Sequence, residues 1–219
     1  MRGLLLSSGL LILALTWAGP LPALAVHSFS AHMTMHMAVV AVAAPLVALG
    51  VAGSARDPVA RWPTWFSAIP ASILELVVVW SWHAPALHHA ARQGGLTLAI
   101  EQLSFLLAGV VLWVSAAAGH PREASARRAA GVAGLLFTST HMTLLGALFA
   151  LTPRPLYAHA AHAAGGLSPL DDQHLGGAIM LLVGGASYLA GGLWLAREVL
   201  RSGPAASRLA PHPGGRSSR

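Results

Sequence analysis

Apolar residues run along this chain in long blocks, broken by short polar punctuation, instead of alternating at period two or marking one stripe of a helix. A helix needs about 20 apolar residues to cross the hydrocarbon core of a bilayer, at roughly 1.5 Å per residue. Five internal blocks meet that length: 33–53, 65–83, 96–118, 129–151 and 175–196. A sixth, 3–19, follows Arg2 and precedes Ala23-Leu24-Ala25, a pattern that fits either an uncleaved first helix or a cleavable signal peptide. The run is long for a signal sequence, so an uncleaved helix is expected, and either choice leaves Val26 outside. The predicted fold is all-α, a polytopic membrane bundle of about six transmembrane helices, or five if the N-terminal segment is removed. It divides into a first helix or signal peptide (1–25), a bundle with histidine-rich outer loops (26–197), and a basic tail (198–219) expected to be cytoplasmic and disordered.

Composition agrees with a membrane solvent: 55% of the residues are hydrophobic and 9% charged. The chain has no cysteine, which excludes disulfides, thiolate metal sites and cysteine nucleophiles. Its formal charge of +6 comes from arginine alone. The arginines are spread between apolar blocks instead of forming one patch, so no nucleic-acid partner is expected. Alternate segments differ sharply. Arg2, Arg56, Arg61, Arg122, Arg127, Arg128, Arg197, Arg201, Arg208, Arg216 and Arg219 fall in one set, and only Arg92 and Arg154 in the other. The positive-inside rule then places both termini in the cytoplasm.

Within the last block, Gln173, Gly177, Met180, Gly184, Ser187 and Gly191 recur every three or four residues, a face small enough for close helix approach. Glu75 and Glu101 lie inside spans and are expected to point into the bundle, either as satisfied interhelical hydrogen bonds or in a role in metal approach or proton movement.

With that topology the histidines sort unevenly. His27, His32, His36, His83, His88, His89, His159, His162 and His174 fall at the outer side, His120 and His212 in the cytoplasm, and His141 within a span. Met33, Met35 and Met37 lie among the first of these. His32 and His36 are four residues apart, as are Met33 and Met37, so each pair stacks along a helix. Imidazole and thioether suit copper, Cu(I) above all, and a thioether forms no disulfide on the oxidising side of a membrane. Zinc ranks second, with Asp171 and Asp172 near His174 as its carboxylates. The plainer readings are solvated loop residues for His88, His89, His159 and His162, and an interfacial belt with Trp80 and Trp82 for His83. His141 lies among Thr138, Ser139, Thr140 and Thr143, whose hydroxyls could satisfy it, at a depth where ionisable residues are usually functional. No His-Glu-x-x-His helix, Gly-x-Ser-x-Gly elbow, phosphate loop or dinucleotide fingerprint occurs, so no enzyme is expected.

Several phrases occur together and in order: His32-Met33-Thr34-Met35-His36-Met37 leading into Ala43-Ala44-Pro45-Leu46, Trp82-His83-Ala84-Pro85, Glu101-Gln102-Leu103-Ser104-Phe105, His141-Met142-Thr143 before Thr152-Pro153-Arg154-Pro155-Leu156-Tyr157, and Leu170-Asp171-Asp172-Gln173-His174 running on to Met180. Together they resemble the multi-spanning CtaG family of cytochrome c oxidase assembly factors, associated with caa-type oxidases, over most of residues 27–196. The resemblance implies a plasma-membrane factor that helps copper reach an oxidase, with oxidase subunits and other copper chaperones as its partners. The expected metal ligands are His32, His36, His83 and His141, with Met33, Met37 and Met180 as soft partners and Asp172 orienting them from outside. Two rivals remain: a membrane haem protein or electron carrier with two histidine ligands from His36, His83 and His141, and a metal-free scaffold for oxidase assembly.

Two measurements check the topology. A reporter fused after Arg201 should be active only in the cytoplasm, and periplasmic activity would refute the orientation. N-terminal sequencing of the mature protein should begin at residue 1 or 2; a start at Val26 would show cleavage.

Overall fold

The computed structural model describes residues 1–93, 95–117, 124–157 and 166–201, and every regular element among them is helical. In chain order these are α1 (Arg2–Ala18), α2 (Leu21–Ala25), α3 (Phe29–Met37), α4 (Ala44–Val51), α5 (Pro58–Arg61), α6 (Ala68–Trp82), α7 (Pro85–Gln93), α8 (Gly95–Ala117), α9 (Ala124–Leu151), α10 (Pro169–Ile179) and α11 (Gly185–Arg201). Two π-helical segments, Ala38–Ala43 and Met180–Gly184, join α3 to α4 and α10 to α11 into continuous rods. His120, His159, His162, His212, Arg122 and the tail from 202 lie outside the described residues.

The chain is therefore a polytopic helix bundle, as its apolar blocks predict. Four rods are long and apolar enough to cross a membrane: Phe29–Val51, Gly95–Ala117, Ala126–Leu151 and Pro169–Arg201. The other two apolar helices are shorter, 17 residues in α1 and 15 in α6. The block expected over 65–83 forms helix only from Ala68, because Pro63 interrupts its approach and Pro70 fits in the first turn after the N-cap Ser67. Arg127 closes that approach by donating to the carbonyls of Pro63 (3.0 Å) and Phe66 (3.4 Å).

The ends of the bundle differ in chemistry. At one, Arg2 donates to the Gly53 carbonyl at 2.7 Å, tying the start of α1 to the exit of α4. At the other, the N-terminus of α3 meets that of α10. Ser28 caps α3, and the Asp172 carboxylate accepts from the Ser28 hydroxyl (2.9 Å), the Phe29 amide (2.6 Å) and both the amide and hydroxyl of Ser30 (3.2 and 2.5 Å). A carboxylate at a helix N-terminus meets orphan N–H groups and the positive end of the dipole together.

The π segment after α3 has a covalent cause. The Ala44 amide bonds back to the Val39 carbonyl, five residues earlier, and the next residue, Pro45, has no N–H. The carbonyls that an N–H at 45 would serve are those of Val40 in π spacing and Ala41 in α spacing. Both turn instead to the last rod, where the Ser187 hydroxyl donates to Ala41 at 2.6 Å and the Tyr188 hydroxyl lies 3.2 Å from Val40.

The small-residue face of the last rod is buried as its spacing predicts, with Met180 fully enclosed. Its closest approach is to α9. A Cβ on Gly146 would sit 2.7 Å from the Leu181 amide nitrogen, and one on Gly177 would sit 2.7 Å from the Gly146 carbonyl oxygen. Backbone cannot step aside as a flexible side chain can. Gly146→Ala should therefore destabilise the bundle by about 1–3 kcal/mol, read as a lower unfolding midpoint in detergent. Gly3→Ala, where an added Cβ meets nothing within 4 Å, should leave the midpoint unchanged.

Candidate functional site

The candidate site is built in the half of the bundle nearest Asp172, where α3, α6, α7, α8 and α9 bring imidazoles and aromatic rings into two layers. His32, His36, His83 and His88 are 1%, 0%, 7% and 1% exposed, so all four belong to the interior. In the upper layer the His32 and His88 rings meet edge to face at 5.0 Å, under Phe29 and Tyr157. Tyr157 stacks on His88 at 4.1 Å and donates its hydroxyl to the His83 carbonyl at 2.7 Å. One turn deeper, the centres of His36 and His83 are 5.3 Å apart, with Phe105 3.9 Å from His36 and Phe149 5.6 Å from His83.

Hydrogen bonds set which ring nitrogens carry lone pairs. His83 Nδ1 is 2.6 Å from the Val79 carbonyl, which can only accept, so Nδ1 bears the proton and Nε2 the lone pair. That Nε2 is buried and meets no hydrogen-bond partner. His32 Nε2 lies 3.2 Å from Glu101 Oε1, leaving its buried Nδ1 without a partner. Neither nitrogen of His36 or of His141 has one. Glu101 is itself fixed by a 3.2 Å bond from the neighbouring Gln102 side chain. A buried polar nitrogen left unanswered costs free energy, so four of them on three clustered histidines mark a place suited to an electrophile.

The remaining predicted residues lie around this cluster. Met33 and Met37 share α3 with the histidines but face α10: a Cβ on Gly176 would meet Met33 Cγ at 3.0 Å, and one on Gly184 would meet Met37 Sδ at 3.2 Å. Met142 lies at the same glycine, and Met180, fully buried, is on the same rod. His141 packs on Phe137 of its own helix at 5.7 Å and makes no ring contact with the cluster among the described residues. Asp172 fixes the end of α3, and hence the depth of its histidines, through the four bonds described above.

His88 corrects the expectation of a solvated loop residue. Helix α7 lies across the end of the bundle and buries His88 and Ala91, while Leu87 stays 41% exposed. The buried face joins polar His88 to small Ala91 while Leu87 faces out, so the sequence does not tell which face of this nine-residue helix the bundle covers. His89 is exposed, as expected, and pairs with Gln93. His83 is buried, not part of an interfacial belt, and Glu75 and Glu101 both point inward at 0% exposure. Among the described residues no three His, Asp or Glu side chains converge on one ion position, so the clustering is of pairs.

The chain matches neither a curated protein nor a solved structure. The family model described as cytochrome c oxidase caa3 assembly factor, Caa3_CtaG, matches residues 2–202 and so takes in every helix and the whole histidine cluster. The chain belongs to the cytochrome c oxidase caa3 assembly factor family.

Proposed function

We propose that this assembly factor works by holding Cu(I) among its buried histidines, at the outer face of the plasma membrane, and passing it to an oxidase subunit. The observation that carries the reading is the set of unpartnered imidazole nitrogens on His32, His36 and His83, packed within one helical turn of depth. Two imidazoles on one ion, with metal–nitrogen bonds of about 2 Å, have ring centres about 5 Å apart at a tetrahedral angle and about 6 Å apart when linear, within the range of ordinary ring packing. The His36–His83 pair and the His32–His88 pair, at 5.3 and 5.0 Å, both fall in that range. A pair of neutral imidazoles suits a soft monovalent ion, and Met33, Met37, Met142 and Met180 place thioethers on the adjoining seam.

Two of the ligands have a support. The Val79 carbonyl holds the His83 tautomer, and Glu101 orients His32. His141 stands apart as a second, deeper ligand. Packing argues against the haem reading, because a porphyrin between His36 and His83 would need the volume that Phe105 and Phe149 fill. The copper reading also orients the protein, with the histidine end outside, both termini in the cytoplasm and the oxidase meeting it within the membrane.

Metal analysis of detergent-purified protein with and without reductant tests this directly, and the expected result is copper retained under reductant with no Soret band. His36→Ala and His83→Ala should each weaken copper binding by about 10- to 100-fold or more and lower oxidase maturation in step, with the protein inserted at normal abundance. His89→Ala, at an exposed position, should change neither. Full copper content and normal maturation in His36→Ala protein would remove the site and favour a metal-free scaffold.

A further inference from the structure

Below the histidine layers is a second polar cluster that the copper reading does not use. Glu75 on α6 and Tyr188 on α11 are both 0% exposed, and the Tyr188 hydroxyl forms a short hydrogen bond with Glu75 Oε1. Glu75 Oε2 has no partner. Around the pair stand Trp113 from α8, stacked on Tyr188 with centres 5.6 Å apart, Thr138 from α9, and the Val40 carbonyl from the π segment. None of these is a cation, and the arginines on the helices that supply Thr138 and Tyr188 are remote, Arg128 on α9 ten residues from Thr138 and Arg197 on α11 nine residues from Tyr188. The nearest histidine on the same helix, His83, is eight residues away, about 12 Å along the axis.

Counting protons gives the state of this cluster. Tyr188 has one phenolic hydrogen and two acceptors, Glu75 Oε1 and the Val40 carbonyl at 3.2 Å. Val40 needs a donor, since Pro45 offers none. If Glu75 were a carboxylate, it would draw the phenolic hydrogen to itself, and the interior would hold both an uncompensated charge and an orphan carbonyl. With one added proton the charge is removed and the Val40 carbonyl is answered: the Glu75 acid donates to Tyr188 Oη and the Tyr188 hydroxyl donates to the Val40 carbonyl, while the Thr138 hydroxyl and the Trp113 indole remain as donors beside Glu75 and Tyr188.

We propose that Glu75 is a proton-binding site, occupied at rest, whose proton completes a donor chain from Glu75 through Tyr188 to the Val40 carbonyl of the π segment. When that proton leaves, the phenolic hydrogen turns to the new carboxylate and Val40 loses the side-chain donor that Tyr188 supplies. The π segment begins immediately after Met37, on the rod that carries His32 and His36. Proton occupancy at Glu75 thus acts on the backbone that sets the depth of those histidines, whether or not they bind metal.

Infrared spectroscopy of the full chain in hydrated lipid tests this at neutral pH. Wild-type protein should show the carbonyl stretch of a protonated carboxyl, and labelling glutamate with ¹³C at the carboxyl should lower its frequency. The band should survive Glu101→Gln and disappear in Glu75→Gln. In Tyr188→Phe it should persist at higher frequency, because the acid loses its acceptor. Should Glu75→Gln fail to fold, the labelled wild type, Glu101→Gln and Tyr188→Phe still decide. Absence of the band in the wild type overturns the proposal, as does its loss in Glu101→Gln or a band unmoved by Tyr188→Phe.

Discussion

Inside a bilayer a backbone carbonyl without a donor has no water to turn to. Pro45 creates that situation in the rod that carries His32 and His36. Residue 45 offers no N–H to the carbonyls of Val40 and Ala41, the helix there has π spacing, and Tyr188 and Ser187 on the last rod donate to those two carbonyls. Because Tyr188 also holds Glu75, one missing hydrogen on Pro45 joins three rods. π turns are uncommon, and where they occur they often stand beside functional groups. Here the turn follows the two histidines directly, so their position along the membrane normal is set from below by Pro45 and from above by Asp172.

The apolar blocks made the bundle legible, since a bilayer demands length and hydrophobicity and both are written in one dimension. The face running from Gln173 to Gly191 was legible too, because small residues at helical spacing have little purpose except close packing. What patterning could not show was the partner of each polar group. Asp172 lies in sequence beside His174, yet its oxygens belong to Ser28, Phe29 and Ser30, more than 140 residues earlier. His88 looked like a loop residue because imidazole counts as polar, although together with Ala91 it makes the buried face of α7. Among the predicted ligands, the structure gathers His32, His36 and His83 into one cluster, sets Met33, Met37 and Met180 on an adjoining seam, and leaves His141 apart.

The two sides of α3 have different mechanical character. Toward α10 it meets glycines, with Phe29 and Met33 against Gly176 and Met37 against Gly184, and α10 in turn meets α9 backbone to backbone at Gly146 and Gly177. That side cannot yield without breaking close contacts. Toward α7 and α8 it meets rings and imidazoles, with polar ties beside the stacking: the Tyr157 hydroxyl to the His83 carbonyl, His32 to Glu101, and Arg92 of α7 to the Val26 carbonyl.

Phe29, Phe105 and Phe149 have a further effect through what they exclude. They pack against the imidazoles, so on the copper reading an ion at His36 leaves its water shell behind. The free energy of hydration grows with the square of charge, which makes the loss for a divalent ion about fourfold that for a monovalent ion of the same size. Two neutral imidazoles cannot restore that difference. On the copper reading the phenylalanines would thus discriminate by valence before any ligand preference operates, a layer of hydrocarbon acting as a charge filter.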